Sequence, residues 1–481
     1  MSKKIIYLLS LLMALSLVFA SCKKNNGLDP NNGGLTPPPN TGAGEEFTGD
    51  NGLFGDYSQI PTETEIANVG VYVTTDGNYY RNPVLVARED GAVFVFAEKR
   101  WRSAGSGNDV GIDGENTTDV IYKVSANGGY KFDTQENTVG TKASGPQDSH
   151  GAPVVFVNGN DIVIVATSGS GIGRTSQLAA AKPYQSKIEY IKGTIDGTKI
   201  TWTSTWTEIS EVKNSTSGNQ KISEIISKVS AGGAGSKKFD QFGTQPSRGF
   251  VDSTGNMYLA VVLAQQGTSN DVYELMGRMT IKASISNPST WEVVDEPVAY
   301  TDNASLKLGP WKETKLISAD STGNTLQYLI VPSPWTEPAS YRPGVLGTAN
   351  KGNAANINKT AVKASEGSPG FFTTDKWYGS GAYTLKKGED GKVTITSGSA
   401  SKKSILVHVQ QTSSQLYLYR VNDSFTVEGN GWKLDDVGKS SSVDMLPDGT
   451  VVVATEKGGQ EKNYFIRFLR YSQPYLEANT K

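Results

Sequence analysis

The sequence predicts an all-β fold, and more narrowly a repeat fold of the β-propeller kind. Gly occurs 53 times among 481 residues, and regular helical periodicity is scarce. Short apolar runs alternate with Gly- and Asn-containing turns, as on either side of residues 158–160 and 253–256. This spacing is typical of strands joined by tight turns. Weak internal repeats, described below, favour a propeller among the all-β folds.

Composition argues against several classes of partner and site. The formal net charge is −2, so no basic field for nucleic acid or an anionic membrane surface is expected. Cys22 is the one cysteine, which excludes internal disulfides and cysteine metal clusters. The two histidines, His150 and His408, are far apart in sequence, so a histidine-rich zinc site is not expected. We predict no metal and no cofactor, and separately we expect a monomer.

The N-terminus has the pattern of a secretory signal. Lys3 and Lys4 precede the apolar run 5–20, which ends in small residues before Cys22. This arrangement resembles the bacterial lipoprotein box, although Phe19 stands where leucine is usual. We predict a signal peptide over residues 1–21, lipidation of Cys22 and anchoring to the bacterial cell envelope, at the outer membrane or cell surface. The alternative is an ordinary signal peptide with an incidental cysteine.

Residues 22–60 are predicted to form a flexible stalk between lipid and globular part. They are rich in Asn, Gly, Pro and Thr, and such a segment cannot bury enough apolar surface to fold. No second apolar run long enough to span a bilayer follows in the sequence. Residues 61–481 are predicted to form the propeller.

Three segments repeat a short pattern that ends in an aromatic residue. Residues 125–132 read Ser-x-Asn-x-Gly-x-Lys-Phe, residues 284–291 keep that spacing, and residues 194–202 are a looser copy. We expect each to be a turn held by its own Asp or Asn side chain, with the aromatic packed between blades.

The stretch from Tyr80 to Phe132 carries the most concentrated chemical signal. Arg81 stands at a strand entrance, Arg100 ends the next strand, and an acidic Gly-rich loop with Asp109 and Asp113 follows. Guanidinium grips a carboxylate bidentately, which lysine cannot do. The pattern indicates a pocket for an acidic ligand. The alternative is a pair of ordinary surface arginines.

The order of these motifs resembles the sialidase (neuraminidase) superfamily of Asp-box, or BNR-repeat, propellers. Tyr-Arg-x-Pro at 80–83 precedes Phe-Ala-Glu-x-Arg at 96–100, an aspartate loop and the Asp-box-like segment 125–132. Near the C-terminus, residues 446–458 resemble the family's final blade. The resemblance implies six blades, with the last strands completing the blade that contains residues 80–87.

The resemblance also implies site residues. In this family three arginines hold the substrate carboxylate, and a tyrosine nucleophile replaces the usual second carboxylate. A phenol has a pKa near 10 and therefore needs a glutamate as its base. The matching positions are Arg81 and Arg100 for carboxylate binding, Glu456 to orient Arg81, Asp113 as general acid–base with Asp109 as competitor, and Glu313 to activate the tyrosine.

Other family positions are not matched. No arginine occurs in residues 329–333, where the second is expected, although Arg342 lies nearby, and none occurs in 413–415, where the third is expected. Serines occupy 440–442 where the tyrosine is expected, and Tyr383 comes one blade early. Arg248, in a segment resembling a mid-propeller turn of the family, is either a ligand contact or part of a plain hairpin entrance.

The resemblance implies a cell-surface exo-alpha-sialidase-like glycoside hydrolase acting on terminal sialic acids of glycoconjugates. Two alternatives remain at this point. The first is an inactive propeller that binds glycans or proteins, and the second is an Asp-box enzyme acting on another acidic sugar. The retained Arg81 and Asp113 favour the hydrolase, whereas the unmatched tyrosine and arginines favour the alternatives.

Overall fold

The computed structural model describes most of the predicted propeller. The described residues are 65–72, 78–101, 117–129, 131–169, 171–172, 186–229, 238–266, 273–299, 312–319, 325–332, 344–350, 353–362, 370–378, 384–387, 393–410, 415–422, 427–435, 438–457, 465–473 and 476–477. The predicted signal peptide, Cys22 and the stalk lie outside these residues. Among the helices of the described part, none has the length and apolar character needed to cross a bilayer.

Strands account for nearly all regular structure in these ranges. A short α-helix, α1, covers Ile222–Ile226, and a 3₁₀ turn covers Pro146–Asp148. In chain order the strands are β1 (Glu65–Tyr72), β2 (Tyr79–Ala87), β3 (Val93–Arg100), β4 (Thr118–Ser125), β5 (Asn137–Thr138), β6 (Gly151–Asn158), β7 (Asp161–Gly169), β8 (Ser186–Asp196), β9 (Lys199–Trp202), β10 (Thr207–Glu208), β11 (Glu211–Asn214), β12 (Gly218–Lys221), β13 (Gln241–Gly243), β14 (Ser247–Arg248), β15 (Phe250–Val251), β16 (Asn256–Gln266), β17 (Tyr273–Ser284), β18 (Glu292–Ala299), β19 (Lys312–Ala319), β20 (Thr325–Pro332), β21 (Gly344–Asn350), β22 (Asn353–Val362), β23 (Gly370–Trp377), β24 (Thr384–Lys387), β25 (Val393–Ser397), β26 (Ser401–Gln410), β27 (Gln415–Val421), β28 (Val427–Asp435), β29 (Ser441–Met445), β30 (Val451–Lys457) and β31 (Phe465–Tyr471).

These strands form mostly antiparallel sheets that follow one another along the chain. Within the described ranges, the sheets of four or more strands run β2-β3-β4-β5, β10-β8-β7-β6-β14, β12-β11-β18-β17-β16-β13, β19-β20-β21-β22, β23-β26-β27-β28 and β1-β31-β30-β29, and β24 pairs with β25 alone. The first strands of successive sheets lie together, since β2 contacts both β6 and β29, and β23 contacts β29. The predicted all-β, propeller-like fold is confirmed, and the number of blades stays a prediction.

The core lies between neighbouring sheets, which explains the continuous apolar runs. In β3, Val93, Val95 and Ala97 belong to a cluster shared with the sheet of β30 and β31. Phe94 and Phe96 point to the opposite face and pack with β6–β8. A strand buried on both faces reads as an uninterrupted hydrophobic run, and residues 93–97 have that character.

The closure of the ring differs from the predicted one. The last strands do not join the blade containing residues 80–87; that segment starts its own sheet with β3, β4 and β5. Instead the N-terminal strand β1 pairs antiparallel with β31, from Glu65 opposite Tyr471 to Tyr72 opposite Ile466. The first described strand is therefore the outer strand of the last sheet, and residues 65–72 and 466–471 share one set of backbone hydrogen bonds.

The Asp-box-like segment 125–132 is a turn held by its own side chains. The Asn127 Oδ1 atom accepts a hydrogen bond from the Ser125 hydroxyl at 2.8 Å and from the Lys131 N–H at 3.0 Å. Phe132 meets Phe468 of β31 edge to face, with ring centroids 5.1 Å apart. Both expected features are thus present: the stapled turn and the aromatic between two sheets.

The other two copies keep less of the pattern. In the segment 284–291, the hydroxyls of Ser284 and Ser286 lie 2.8 Å apart and Trp291 is buried in the core. The segment 194–202 is a tight β8–β9 hairpin, with Asp196 opposite Lys199 and Gly197 at a φ of +55°.

Substitution of Gly129 by alanine is expected to destabilise the fold strongly. Gly129 has a φ of +88°, and a Cβ there would lie 2.1 Å from the Phe468 Cε1 atom. The left-handed backbone costs about 1–2 kcal/mol for an L-residue, and overpacking adds roughly 1–3 kcal/mol. Gly159 has a φ of +57° with nothing within 4 Å of its added Cβ, so Gly159→Ala should incur the backbone cost alone. Urea unfolding measures both variants, and equal losses would contradict the packing argument.

Candidate functional site

Arg81 lies near the start of β2, directly opposite Glu98 of β3. Opposed residues of an antiparallel pair project from the same face of the sheet, and so does the residue two positions along. Arg81, Glu98 and Arg100 therefore share one face at one end of these strands. The register shifts between Arg81 and Val84, which marks a bulge just after the arginine.

Arg81 forms an ion pair with a buried glutamate of the last sheet. Its Nε atom is 3.1 Å from the Glu456 Oε2 atom, and the side chains are 17% and 0% exposed, respectively. The other oxygen of Glu456 accepts the Asn82 N–H at 2.5 Å. This is the contact that the family resemblance implied for these two residues, while their part in substrate binding stays a prediction.

Arg100 is paired in the same way, with Glu98. The Arg100 Nε donates to the Glu98 Oε2 atom at 2.9 Å, and Nη2 is 2.8 Å from the same oxygen. The Glu98 Oε1 atom accepts the Asn82 side-chain N–H at 2.9 Å and the Ala152 backbone N–H at 2.5 Å. Each arginine therefore contacts a buried carboxylate, which restricts the positions that its guanidinium can take.

The pKa of Glu98 is set by two opposing effects. Burial by itself raises the pKa of this carboxyl, because a charged group loses its hydration. The Arg100 charge and the hydrogen bonds from Asn82, Ala152 and Arg100 outweigh burial and hold the pKa below its ordinary value of 4.5. Glu98 is consequently a carboxylate at neutral pH.

Two residues around Glu98 have a backbone conformation that is rare outside glycine. Asn82 has a φ of +55° and Ala152 a φ of +49°. Both donate to the same Glu98 oxygen, Asn82 from its own sheet and Ala152 from the next sheet. Non-glycine residues in this region cluster at functional sites, where surrounding contacts hold them. The strain therefore coincides with the predicted ligand pocket.

Glu98 and Asn82 are not among the site residues predicted from the sequence. A signal for Glu98 exists: it is an acidic residue at the end of an otherwise apolar strand, two positions before an arginine, and thus on the arginine's face. Asn82 is the middle residue of the Arg-x-Pro segment, and its left-handed backbone follows only from the folded structure.

Several predicted residues cannot be located at the site. Asp109, Asp113, Arg342 and Tyr383 lie outside the described residues. The backbone of Glu313 lies in β19 opposite Val331, but its side chain is also outside the described part. Their roles stay predictions.

Arg248 lies away from Arg81. Its Nε atom is 3.8 Å from the Asp444 Oδ2 atom, and that oxygen accepts the N–H of Ala87, the last residue of β2. Arg81 and Ala87 are at opposite ends of this strand, which at about 3.3 Å per residue separates them by roughly 15–20 Å. A ligand contact of Arg248 shared with Arg81 is therefore not supported.

Serines line the start of β29, where the resemblance expected a tyrosine. Ser440 Oγ donates to the Asn82 Oδ1 atom at 3.2 Å, and Ser442 Oγ accepts the Leu85 N–H at 2.9 Å. Ser441 Oγ bonds to Lys439 O and to the Thr455 hydroxyl. All three hydroxyls are engaged in holding β29 to its neighbours. In the described part of the chain, no three His, Cys, Asp or Glu side chains converge as a metal-binding group.

Comparison with known proteins agrees with this architecture. A family model described as a BNR repeat-like domain matches residues 82–296. No curated protein sequence matches the chain significantly. Among solved structures, the Trypanosoma rangeli sialidase is 13% identical with a TM-score of 0.52, and the match covers 86% of this chain and 60% of that one. The chain thus spans about three fifths of this sialidase.

Two further structures match equally well. A Hadza microbial sialidase is 13% identical with a TM-score of 0.52, covering 86% of this chain and 69% of that one. A protein of unknown function from Dyadobacter fermentans is 10% identical with a TM-score of 0.52, covering 85% and 99%, respectively. At these identities the likeness concerns the fold. The chain therefore contains a BNR repeat-like domain over residues 82–296 and has a fold similar to that of these sialidases.

Proposed function

We propose that this protein takes the carboxylate of a terminal sialic acid at Arg81 and hydrolyses the glycosidic bond that joins the sugar to its glycan. The observation that carries the proposal is the Arg81–Glu456 pair. The Arg81 guanidinium forms an ion pair with the fully buried Glu456 carboxylate, and 17% of the Arg81 side chain is exposed. A restrained, charged and partly exposed guanidinium suits a planar carboxylate.

Within this proposal the remaining roles follow the family resemblance. Asp113 is the general acid–base for the leaving oxygen, with Asp109 as its competitor, and Glu313 is the base that activates a tyrosine. Arg100 supplies a second positive charge on the same face of the sheet as Arg81. The Trypanosoma rangeli and Hadza microbial proteins are sialidases by name, which supports this class of substrate for the shared fold.

The test is release of 4-methylumbelliferone from its N-acetylneuraminic acid conjugate by the full chain in mild detergent. Positioned acid–base groups contribute about 10²- to 10⁴-fold to rate, so Asp113→Ala and Glu313→Ala should each lower turnover by that order. Arg88→Ala, at the far end of β2, serves as the control that keeps activity. Turnover that survives both acidic-residue substitutions would overturn the assigned roles.

A second candidate, binding without hydrolysis, has one specific observation in its favour. The position expected for the nucleophile holds Ser440, Ser441 and Ser442, and their hydroxyls are used in structural hydrogen bonds. Calorimetric titration with N-acetylneuraminic acid separates the candidates. Binding without turnover would support the lectin-like function, and a response only to another acidic sugar, such as a uronic acid, would support a different Asp-box activity.

We also propose that Cys22 carries a lipid that tethers the protein to the bacterial cell envelope. The support is the position of the sole cysteine directly after a signal-like segment. More than one acyl chain would give durable anchoring. In detergent phase partitioning the wild-type chain should enter the detergent phase and Cys22→Ala the aqueous phase; identical partitioning would refute the anchor.

A further inference from the structure

Asn82 connects the two ion pairs of the candidate site. Its backbone N–H donates to the Glu456 Oε1 atom at 2.5 Å, and its side-chain N–H donates to the Glu98 Oε1 atom at 2.9 Å. The opposite oxygens of these two glutamates face Arg81 and Arg100. One residue thus forms the middle of a continuous chain of contacts that runs from one guanidinium to the other.

We propose that Asn82 is a positioning residue that fixes the separation of Arg81 and Arg100, so that both guanidinium groups act together on one acidic ligand. This inference rests on the proposed function for the identity of the ligand. The arginines are charged whether or not Asn82 is present. What Asn82 supplies is a fixed geometry between their two buried carboxylates, which are 2% and 0% exposed for Glu98 and Glu456, respectively.

The amide orientation of Asn82 is determined by a third contact. The Ser440 hydroxyl donates to the Asn82 Oδ1 atom at 3.2 Å, while the carboxylate of Glu98 can only accept. The oxygen therefore faces Ser440 and the nitrogen faces Glu98. Ser440 lies in the segment where the predicted tyrosine nucleophile is unmatched. Its hydroxyl instead holds the side-chain amide of Asn82 in place.

The left-handed backbone is what allows one residue to reach both carboxylates. At a φ of +55°, the N–H and the side chain of Asn82 serve glutamates from two different sheets. Asparagine and aspartate adopt this region more readily than other non-glycine residues. Aspartate would place a negative charge against Glu98, so of these two residues only asparagine combines the conformation with a donor.

The decisive variant is Asn82→Gly. Glycine keeps the left-handed backbone and the N–H to Glu456 but removes the amide that reaches Glu98. Affinity for N-acetylneuraminic acid, measured by calorimetry on the full chain, should fall about tenfold or more. This is the change in affinity that corresponds to the loss of a hydrogen bond to a charged group, here the bond from the Asn82 amide to Glu98. Asn82→Asp keeps the side-chain shape but replaces the N–H donor by a carboxylate oxygen, which can only accept. It should weaken binding at least as much as Asn82→Gly does.

A double-substitution cycle distinguishes positioning from general loss of stability. Arg81→Lys and Arg100→Lys are made singly and together, first with Asn82 present and then in the Asn82→Gly chain. With Asn82 present the two substitutions should be coupled by about tenfold in Kd; with glycine they should become additive. Asn127→Ala, which breaks a remote structural turn, should lower the melting temperature and leave the coupling intact.

A ligand-independent measurement covers the case in which the sugar does not bind at all. The side-chain Nε–Hε NMR signals of Arg81 and Arg100 report how firmly each guanidinium is held. Asn82→Gly should shift or broaden both signals, and Asn127→Ala should leave them unchanged. Altered signals with no sugar binding would support the positioning role and refute the proposed ligand. Unaltered signals, or coupling that persists with glycine, would refute the positioning role.

Discussion

Arg81→Ala is expected to weaken binding of N-acetylneuraminic acid by about 10- to 150-fold. A charged bidentate contact contributes roughly 1.5–3 kcal/mol, and each 1.4 kcal/mol is about tenfold in affinity. The remaining Arg100 does not replace it, because Glu98 holds that guanidinium in its own position, separate from that of Arg81. Calorimetric titration at fixed ionic strength measures the loss, and an unchanged Kd would remove Arg81 from the site.

The same substitution should also destabilise the fold, which distinguishes Arg81 from an ordinary surface arginine. Without the guanidinium, the fully buried Glu456 keeps the Asn82 N–H as its described contact. Removing one member of a buried ion pair costs about 3–5 kcal/mol because the other charge stays buried. The paired variant Arg81→Ala with Glu456→Gln should regain part of the stability and none of the affinity.

Arg88→Ala is the matched control for this experiment. Arg88 lies just beyond the opposite end of β2, where it contacts the Gly159 carbonyl and the Asn160 side chain. Arg88 also pairs with Asp90, its Nε atom 3.3 Å from the Asp90 Oδ2 atom, and its side chain is 11% exposed. Its loss should therefore lower stability, but it should leave affinity unchanged because Arg88 lies at the other end of β2 from Arg81. If Arg88→Ala weakened binding as much as Arg81→Ala, the effect would be nonspecific.

Glu98→Ala is expected to cause a large loss of stability, on the order of 3–5 kcal/mol. Glu98 is buried and accepts from Arg100, Asn82 and Ala152. Alanine leaves a partly buried guanidinium, an amide and a backbone N–H without this acceptor. Glu98→Gln keeps the volume and part of the hydrogen bonding, so its loss should be smaller. Urea denaturation of the two variants should rank them in that order, and near-wild-type stability of Glu98→Ala would contradict the central place given to this carboxylate.

The contribution of Glu98 should depend on pH in a defined direction. Its folded-state pKa lies below the ordinary value of 4.5, so the unfolded state binds the proton more readily. The stabilisation is therefore fully present above about pH 4.5 and is lost as the pH falls through the lowered folded-state pKa. The difference in unfolding free energy between wild type and Glu98→Gln should shrink between pH 6 and pH 3. A difference that stays constant over this range would refute the ionised state assigned to Glu98.

Local sequence was enough to predict the parts of the molecule that local contacts determine. The apolar run 93–97 became a strand buried on both faces, and the segment 125–132 became a turn held by Asn127. These features depend on strand pleat, turn chemistry and side chains a few positions apart. The family resemblance added Arg81 and Glu456, which no local pattern could have paired.

Tertiary structure decided what joins distant segments. Asn82 and Glu456 are 374 positions apart, and the pairing of β1 with β31 joins the first and last described strands. The local sequence of an acidic residue or of a strand does not indicate which distant residue it contacts in the folded chain. The bridge through Asn82 and Glu98, the strain at Ala152 and the closure of the ring all arise where separate sheets come together, and only the folded chain specifies those neighbours.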